Sequence, residues 1–257
     1  MSRGFVGLAM VAGCLVFGIA GWAMELPRPT SGAAGLPVSV ATVPPGGYLD
    51  AAGDVVTPSA AHDSATSTSG GARPAVTIEA GWLRSTSADT GIASRALQAY
   101  ASAAVRSSAS DPECRLTWNT LAAIGDVESA NGTYGGTHVE PDGEISAAIS
   151  GPVLDGTGGT VAIRGTAKGG WSRAVGPLQM LPSTWARYGV DATGDGRKDP
   201  ENIDDASLAA ADYLCAAGGD LSTASGWTTA VHAYNHDDAY VAAVRKQADL
   251  YASETTG

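Results

Sequence analysis

The stretch "IASRALQAYASAAVRSSA", residues 92–109, decides the fold class. Ile92, Ala96, Leu97, Tyr100, Ala103 and Ala104 recur at the three- and four-residue spacing that lines one face of an α-helix. Ser94 stands where a hydroxyl can cap the helix start.

The same period repeats towards the C-terminus. Residues 114–129, "CRLTWNTLAAIGDVES", put Leu121, Ile124 and Val127 at helical spacing, with Gly132 as the stop. Helical pattern returns in "PSTWARYG", "DASLAAADYLCAAGG", "GWTTAVHAYN" and "DAYVAAVRKQADLY", and Gly218-Gly219 marks a C-terminal end. Residues 132–170 are glycine-rich and irregular, and "GPVLDGTGGTVAIRG" supports at most a short β-hairpin. The expectation is a mostly α domain over residues 85–257, roughly 170 residues long, that is α+β at most through that hairpin.

The N-terminal third reads differently. Residues 25–84 are rich in Pro, Gly, Ala, Ser and Thr without a hydrophobic period, as in a flexible linker. Ahead of them an apolar run from Phe5 to Met24 follows Arg3, so residues 1–24 read as a signal peptide or membrane anchor. Cys14 closes "VAGC", a lipidation-like box, but the chain stays apolar well beyond it, and a lipidated cysteine normally leads into polar chain. Cys14 is therefore read as a small residue of the apolar run. Either form of the N-terminus puts the rest of the chain outside the cytoplasm, because Arg3 holds the start inside. Cys114 and Cys215 then lie in an oxidising compartment and are expected to bridge, closing a loop that stabilises the fold by about 4–5 kcal/mol in the chain-entropy account.

Composition removes several function classes. The net charge is −11 and no Lys/Arg block exists, which excludes a partner bound through its phosphates, so no nucleic acid is expected. No P-loop, dinucleotide fingerprint or G-x-S-x-G elbow is present.

Glu128 is the first residue that could carry chemistry. A glutamate at a helix end facing a partly apolar cleft stays protonated near neutrality and can donate to a glycosidic oxygen, although most such glutamates are simply solvated. Its usual companion would be a second carboxylate. Asp126 points elsewhere on the helix, and Glu140, Asp142 and Glu144 lie in the loop region. A mechanism with one carboxylate follows as the working idea, the N-acetyl group of the substrate stabilising the oxocarbenium ion.

Three further patterns remain open on the residues alone. In "RAVGPLQMLPSTWARYG", Gln179 sits among apolar residues and either caps a backbone group or faces a ligand. Trp171 and Trp185 either stack on sugar rings or fill the core. In "DATGDGRKDPENIDD", Asp191, Thr193 and Asp195, the Arg197 carbonyl and a late Asp205 suit an EF-hand-like Ca²⁺ loop, although Asn202 stands at its twelfth position; the alternative is an acidic turn with Asp205 as a helix N-cap. His232 and His236 are spaced i, i+4 but lack the glutamate and third ligand of a zinc site.

Together, "TGIASRALQAY", "LTWNTLAAIGDVESANG", "RAVGPLQMLPSTWARYG", "DATGDGRKDPENIDDASLAAADYLCAAGGDLS" and "AVHAYNHDDAYV" resemble, in this order, the lytic murein transglycosylases of the membrane-bound type B kind. The resemblance covers about residues 91–251 and includes the Cys114/Cys215 pair. It implies a lysozyme-like α-helical catalytic domain that cleaves the MurNAc–GlcNAc β-1,4 bond and leaves 1,6-anhydro-MurNAc. It implies Glu128 as the single acid/base, Ser129 and Gln179 beside it, Tyr234 and Asn235 as the "YN" element, and Tyr240 as a weaker member. It implies that no cofactor is required, that the aspartate loop matches a structural Ca²⁺ site seen in some relatives, that the partner is the peptidoglycan glycan strand, and that a monomer acts in the bacterial envelope, secreted or anchored through residues 5–24. The chain departs from the family at Ser172, where an acidic residue is common, in "IRGTAKGGW", which lacks aspartates, and at Thr193. A lysozyme-type hydrolase on the same scaffold, a non-catalytic peptidoglycan-binding module and a calcium-dependent structural module are the competing expectations.

Overall fold

In the computed structural model, residues 48–49, 55–56, 76–158, 160–165 and 170–255 are described. The alanine-lined face read from residues 92–109 becomes the hub of the domain. That segment is helix α2 (Ser94–Ser110), preceded by α1 (Ala80–Thr90) and followed by α3 (Trp118–Ser129), α4 (Pro182–Tyr188), α5 (Ile203–Gly218), α6 (Ala224–Tyr234) and α7 (Asp238–Glu254). The most extensive packings are α2 on α5, α5 on α6 and α3 on α7. Small side chains let these axes approach closely. Ala96, Ala99 and Ala103 of α2 are buried, as are Ala206, Ala209, Ala210 and Ala211 of α5. Leu97, Tyr100, Leu121, Ile124, Leu214, Val231 and Val244 fill the remaining space.

The mostly α expectation holds, with local corrections. Ser94 is the first helical residue and Ala93 the N-cap; the Ser94 hydroxyl bonds the Ser87 hydroxyl at 3.1 Å instead of a backbone amide. Helix α3 ends before Gly132, through left-handed Ala130 and Asn131. Asp205 is not the cap of α5; Asn202 is, accepting from the Asp204 N–H at 3.0 Å.

Helix α1 starts at Ala80, ahead of the expected domain boundary at residue 85. It lacks a long apolar face: only Thr86 is buried. Two things hold it instead. The Glu79 carboxylate accepts the Gly81 and Trp82 backbone N–H groups as a cap. Trp82 meets Trp118 edge to face at 5.6 Å.

The expected bridge between Cys114 and Cys215 is formed, joining the chain just ahead of α3 to α5 with the two Cα atoms 5.3 Å apart. Arg95 and Asp204 pair side by side, and Arg95 Nε also donates to the Pro141 carbonyl at 3.0 Å, tying α2 to α5 and to the central loop.

Between α3 and α4 the chain is irregular, as expected. It contains isolated antiparallel bridges, among them Ser150 with Val175, Leu154 with Ser172 and Arg164 with Trp171. Within the stretch read as linker, β1 (Tyr48–Leu49) pairs antiparallel with β2 (Val55–Val56). Residues 1–24, read as signal peptide or anchor, and most of 25–84 lie outside the described residues. Among the described residues no helix is long and apolar enough to cross a membrane.

Candidate active site

Helix α3 delivers Glu128 to its C-terminal edge. The turn that follows is fixed from two sides. On one, Ser129 is 1% exposed and its hydroxyl donates to the Pro177 carbonyl at 2.6 Å while accepting the Gly132 N–H at 2.9 Å. Ser129 thus clamps α3 to the Gly176–Gln179 turn, and its hydroxyl is engaged inside the fold. On the other side, Asn131 Nδ2 donates to Asp126 Oδ1 and to the Tyr251 hydroxyl, both at 3.3 Å. Asp126 is therefore engaged with Tyr251 near the C-terminal end of α7. Burial raises the Asp126 carboxyl above its ordinary value, and a hydrogen bond from Tyr251 offsets part of the rise.

Gly125, one turn before Ser129, sets how closely α3 approaches α2. A Cβ there would stand 2.1 Å from the Tyr100 hydroxyl oxygen and 3.0 Å from Asn131 Oδ1. These two atoms are buried without a hydrogen-bond partner among the described residues.

The Gly176–Gln179 turn is the second wall. Val175 and Met180 exchange backbone hydrogen bonds at 3.1 and 3.0 Å around it. Gly176 has φ +77° and Gln179 φ +46°, both in the left-handed region. Gln179 is 8% exposed, and its Nε2 donates to the carbonyls of Ile149 (3.0 Å) and Gly176 (2.8 Å). Its amide nitrogen therefore caps backbone groups, the first of the two roles left open by the sequence, while Oε1 lies towards Gly151.

Helices α6 and α7 supply the third wall. The Tyr234 hydroxyl donates to the Leu178 carbonyl at 2.6 Å, so this turn is held by α3 and α6 together. Tyr234 also packs in a run of rings with Tyr213 (5.8 Å) and, beyond it, Tyr188 (5.1 Å from Tyr213). Asn235 is exposed at the end of α6. Tyr240, at the start of α7, donates its hydroxyl to Glu128 Oε1 at 2.7 Å.

The electrostatics of Glu128 follow from this crowding. Burial pushes its carboxyl from an ordinary 4.5 up to about 7, and the Tyr240 hydrogen bond works against the rise. The residue as a whole is only half-buried, so it is not sealed in the interior. The Tyr234 phenol is raised well above its usual value, first by burial and then by the neighbouring Glu128 charge. Tyr240→Phe is expected to move the Glu128 titration upward, because the hydrogen bond that favours the carboxylate is lost. Carboxyl-carbon NMR across pH reads this directly; a midpoint that stays or falls would mean that the phenol does not hold the carboxylate.

Glu128, Gln179, Tyr234 and Tyr240 thus meet around one turn. Ser129 braces that turn from behind, and Asn235 stands at its solvent edge. Tyr240 proves more central than its weaker sequence signal, being the direct partner of Glu128. Asn131 and Tyr251, which with Asp126 brace the end of α3, are not singled out in the sequence, because their contact spans α3 and α7 and leaves no local pattern; Asp126 is considered there only as a second carboxylate.

The aspartate loop is a separate feature. Asp191 accepts the Gly194 N–H (2.6 Å) and the Gly196 N–H (2.8 Å), Asp195 accepts the Arg197 N–H (2.7 Å), and Thr193 Oγ1 donates to Asp191 at 3.2 Å. Asp205, 1% exposed, takes the Ala192 N–H on one oxygen (2.7 Å) and the Asp199 N–H on the other (2.9 Å). Burial is the main reason its carboxyl is raised, with the Asp191 charge adding to it. The aspartates are not drawn together: among the described residues, the metal-type group whose ligand atoms lie within 4.8 Å of one another is Asp111 with Cys114 and Cys215, and those sulfurs bond each other. His232 and His236 stack edge to face at 5.4 Å, and Asp238 Oδ1 lies 3.6 Å from His232 Nε2, but among the described residues these three do not bring their ligand atoms within 4.8 Å of one another.

Residues 159–250 match the family model of the transglycosylase SLT domain. The matched segment contains Gln179, Tyr234, Asn235, Tyr240 and Cys215, and begins after Glu128. No curated protein and no solved structure matches the chain. A domain of this family points to lytic-transglycosylase-type action on peptidoglycan in general, and so to a place in the extracytoplasmic cell envelope. The helical architecture agrees with a lysozyme-like domain of this kind.

Proposed function

We propose that this chain is a lytic transglycosylase that cuts the MurNAc–GlcNAc β-1,4 bond of peptidoglycan with formation of 1,6-anhydro-MurNAc. The observation that carries this reading is Glu128: a carboxyl raised by desolvation and hydrogen-bonded by Tyr240, next to Ser129, which clamps the turn that carries Gln179 and is also held by Tyr234. Such a group holds its proton near neutrality and is suited to give it up at a glycosidic oxygen. Glu128 protonates the leaving oxygen as the C1–O bond breaks, and the 2-N-acetyl group of the MurNAc ring stabilises the positive charge at C1. The Glu128 carboxylate then takes the proton of the C6 hydroxyl as that oxygen attacks C1. The proton balance closes on Glu128, and no water is consumed.

The carboxylate nearest in sequence supports a single-carboxylate route. Asp126 is bound to Asn131 and Tyr251, near the C-terminal end of α7, whereas Glu128 meets Tyr240 at its start. Release of soluble fragments from purified peptidoglycan sacculi tests the activity: the wild-type chain should release them, and sacculi left intact by it would contradict the proposal.

The aspartate loop is proposed as a Ca²⁺ site. Its oxygen donors are of the kind a hard cation takes, the carboxylates of Asp191, Asp195 and Asp205, the Thr193 hydroxyl and the Arg197 carbonyl, but the three carboxylates do not lie within 4.8 Å of one another, so an ion would have to draw them together. The Arg197 guanidinium is turned to Asp199 at 2.6 Å, so it does not neutralise the set. A bound ion would relieve the repulsion between Asp191 and Asp205 and tie the loop to α5; no chemical step passes through it. Titration calorimetry with Ca²⁺ should give a binding heat that EDTA removes and Asp191→Asn abolishes. Heat indistinguishable from buffer would rule the site out.

A further inference from the structure

The two tryptophans left open by the sequence separate in the structure. Trp185 is half-buried and packs on the core, whereas Trp171 is 37% exposed and lies outside the core cluster. Trp171 is nevertheless fixed in place. Its backbone bridges Arg164, and the Arg164 guanidinium lies over its ring, 4.1 Å from the centroid. The next residue, Ser172, is buried; its N–H donates to Ile163 and its carbonyl accepts from Leu154, at 2.8 and 2.9 Å.

This irregular ribbon grows out of the candidate site. At its root Ser150 bridges Val175, Val175 bridges Met180, and the Ile149 carbonyl accepts both the Gly176 N–H and Gln179 Nε2. Trp171 lies four positions before Val175, so its Cα is at most about 14 Å from that of Val175, where the turn that carries Gln179 begins. An exposed, immobilised aromatic ring at that distance has no folding role to account for it. A guanidinium stacked by its plane keeps its N–H edges free to bind a carboxylate.

We propose that Trp171 and Arg164 form a glycan-binding subsite away from the bond that is cut. The exposed indole surface stacks on an N-acetylhexosamine ring of the strand, and Arg164 takes a carboxylate of its acidic or peptide substituents. The inference rests on the peptidoglycan reading above and adds to it a residue pair that confers affinity for the strand and preference for its charged form.

The test uses the full chain carrying Glu128→Gln, so that the strand is bound and not consumed. Binding is measured to purified sacculi by co-sedimentation and to β-1,4-linked N-acetylglucosamine oligomers, which carry no carboxylate. Trp171→Ala should weaken both by roughly tenfold, the scale of a lost aromatic anchor, and Trp171→Phe should retain most of the affinity. Arg164→Gln should weaken binding to sacculi and leave the neutral oligomers unaffected. If the parent binds and Trp171→Ala binds both ligands equally well, the subsite is wrong and the proposed function stands. Equal behaviour of Arg164→Gln on both ligands contradicts the carboxylate assignment. A parent that binds no peptidoglycan overturns the functional reading and the subsite together. Melting temperatures close to that of the parent are expected for all three variants, since both side chains are exposed.

Discussion

Glu128→Gln should lower peptidoglycan cleavage by about 10²–10⁴-fold, the usual worth of a positioned general acid, while leaving binding in place. The amide is nearly isosteric and can still accept the Tyr240 hydrogen bond, but it has no proton of suitable acidity to give. The same substitution should also stabilise the fold, in a pH-dependent way. The Glu128 carboxyl is raised from 4.5 to about 7 by burial. Between those values the folded chain holds a proton that the unfolded chain releases. The wild type therefore loses stability as pH rises from about 4.5 to 7 and loses no more from this group above that range. A raised carboxyl contributes a penalty, not a bonus, and glutamine removes it. Unfolding by urea should show little difference between the two proteins at pH 4. At pH 8 the variant should be more stable by up to roughly 3 kcal/mol, the energy of the full shift. A pH-independent difference would mean that the carboxyl is not desolvated in the folded chain.

Gly176→Ala should be the most damaging single methyl in the site. The residue has φ +77°, where an L side chain is strained, and a Cβ would stand 1.8 Å from the Pro200 carbonyl oxygen and 2.7 Å from its carbon. Both obstacles are backbone atoms, so no side-chain rotation relieves them. Either the Gly176–Gln179 turn or the segment leading into α5 must move. A cost of at least about 3 kcal/mol in urea unfolding is expected, in the range reserved for strain at special backbone positions. The Pro177 and Leu178 carbonyls, which anchor Ser129 and Tyr234, move with the turn, so cleavage should fall even where the variant remains folded. Stability within about 1 kcal/mol of wild type would show that the turn is not wedged as described.

How far the sequence could be read depended on whether each contact was local. Helices with an apolar stripe, such as α2, α3, α5 and α7, declared themselves through spacing. Helix α1 did not, because it is held by a Glu79 cap and one Trp82–Trp118 contact rather than by a buried face. Cys114 and Cys215 could be paired across a separation of 101 residues because no other cysteines lie beyond the apolar N-terminal run.

At the site, Glu128 was legible from its helix-end setting and from the family resemblance. Gln179 was legible as a polar residue in apolar surroundings, but its left-handed φ and its two backbone acceptors were not. Tyr240 gives only a weak sequence signal, because its contact with Glu128 is a hydrogen bond across 112 residues. Asp205 is read from the sequence as either a metal ligand or a cap; the backbone N–H groups it accepts, from Ala192, Thr193 and Asp199, show it organising the loop from beneath.

The most direct test of the central claim is the mass of the fragment ends released from purified glycan strands. Ends one water lighter than a reducing MurNAc, present with the wild-type chain and absent with Glu128→Gln, are the predicted result. Reducing-end MurNAc in their place would show that water, not the C6 hydroxyl, attacks C1, and would contradict the transglycosylase assignment while leaving Glu128 as the acid.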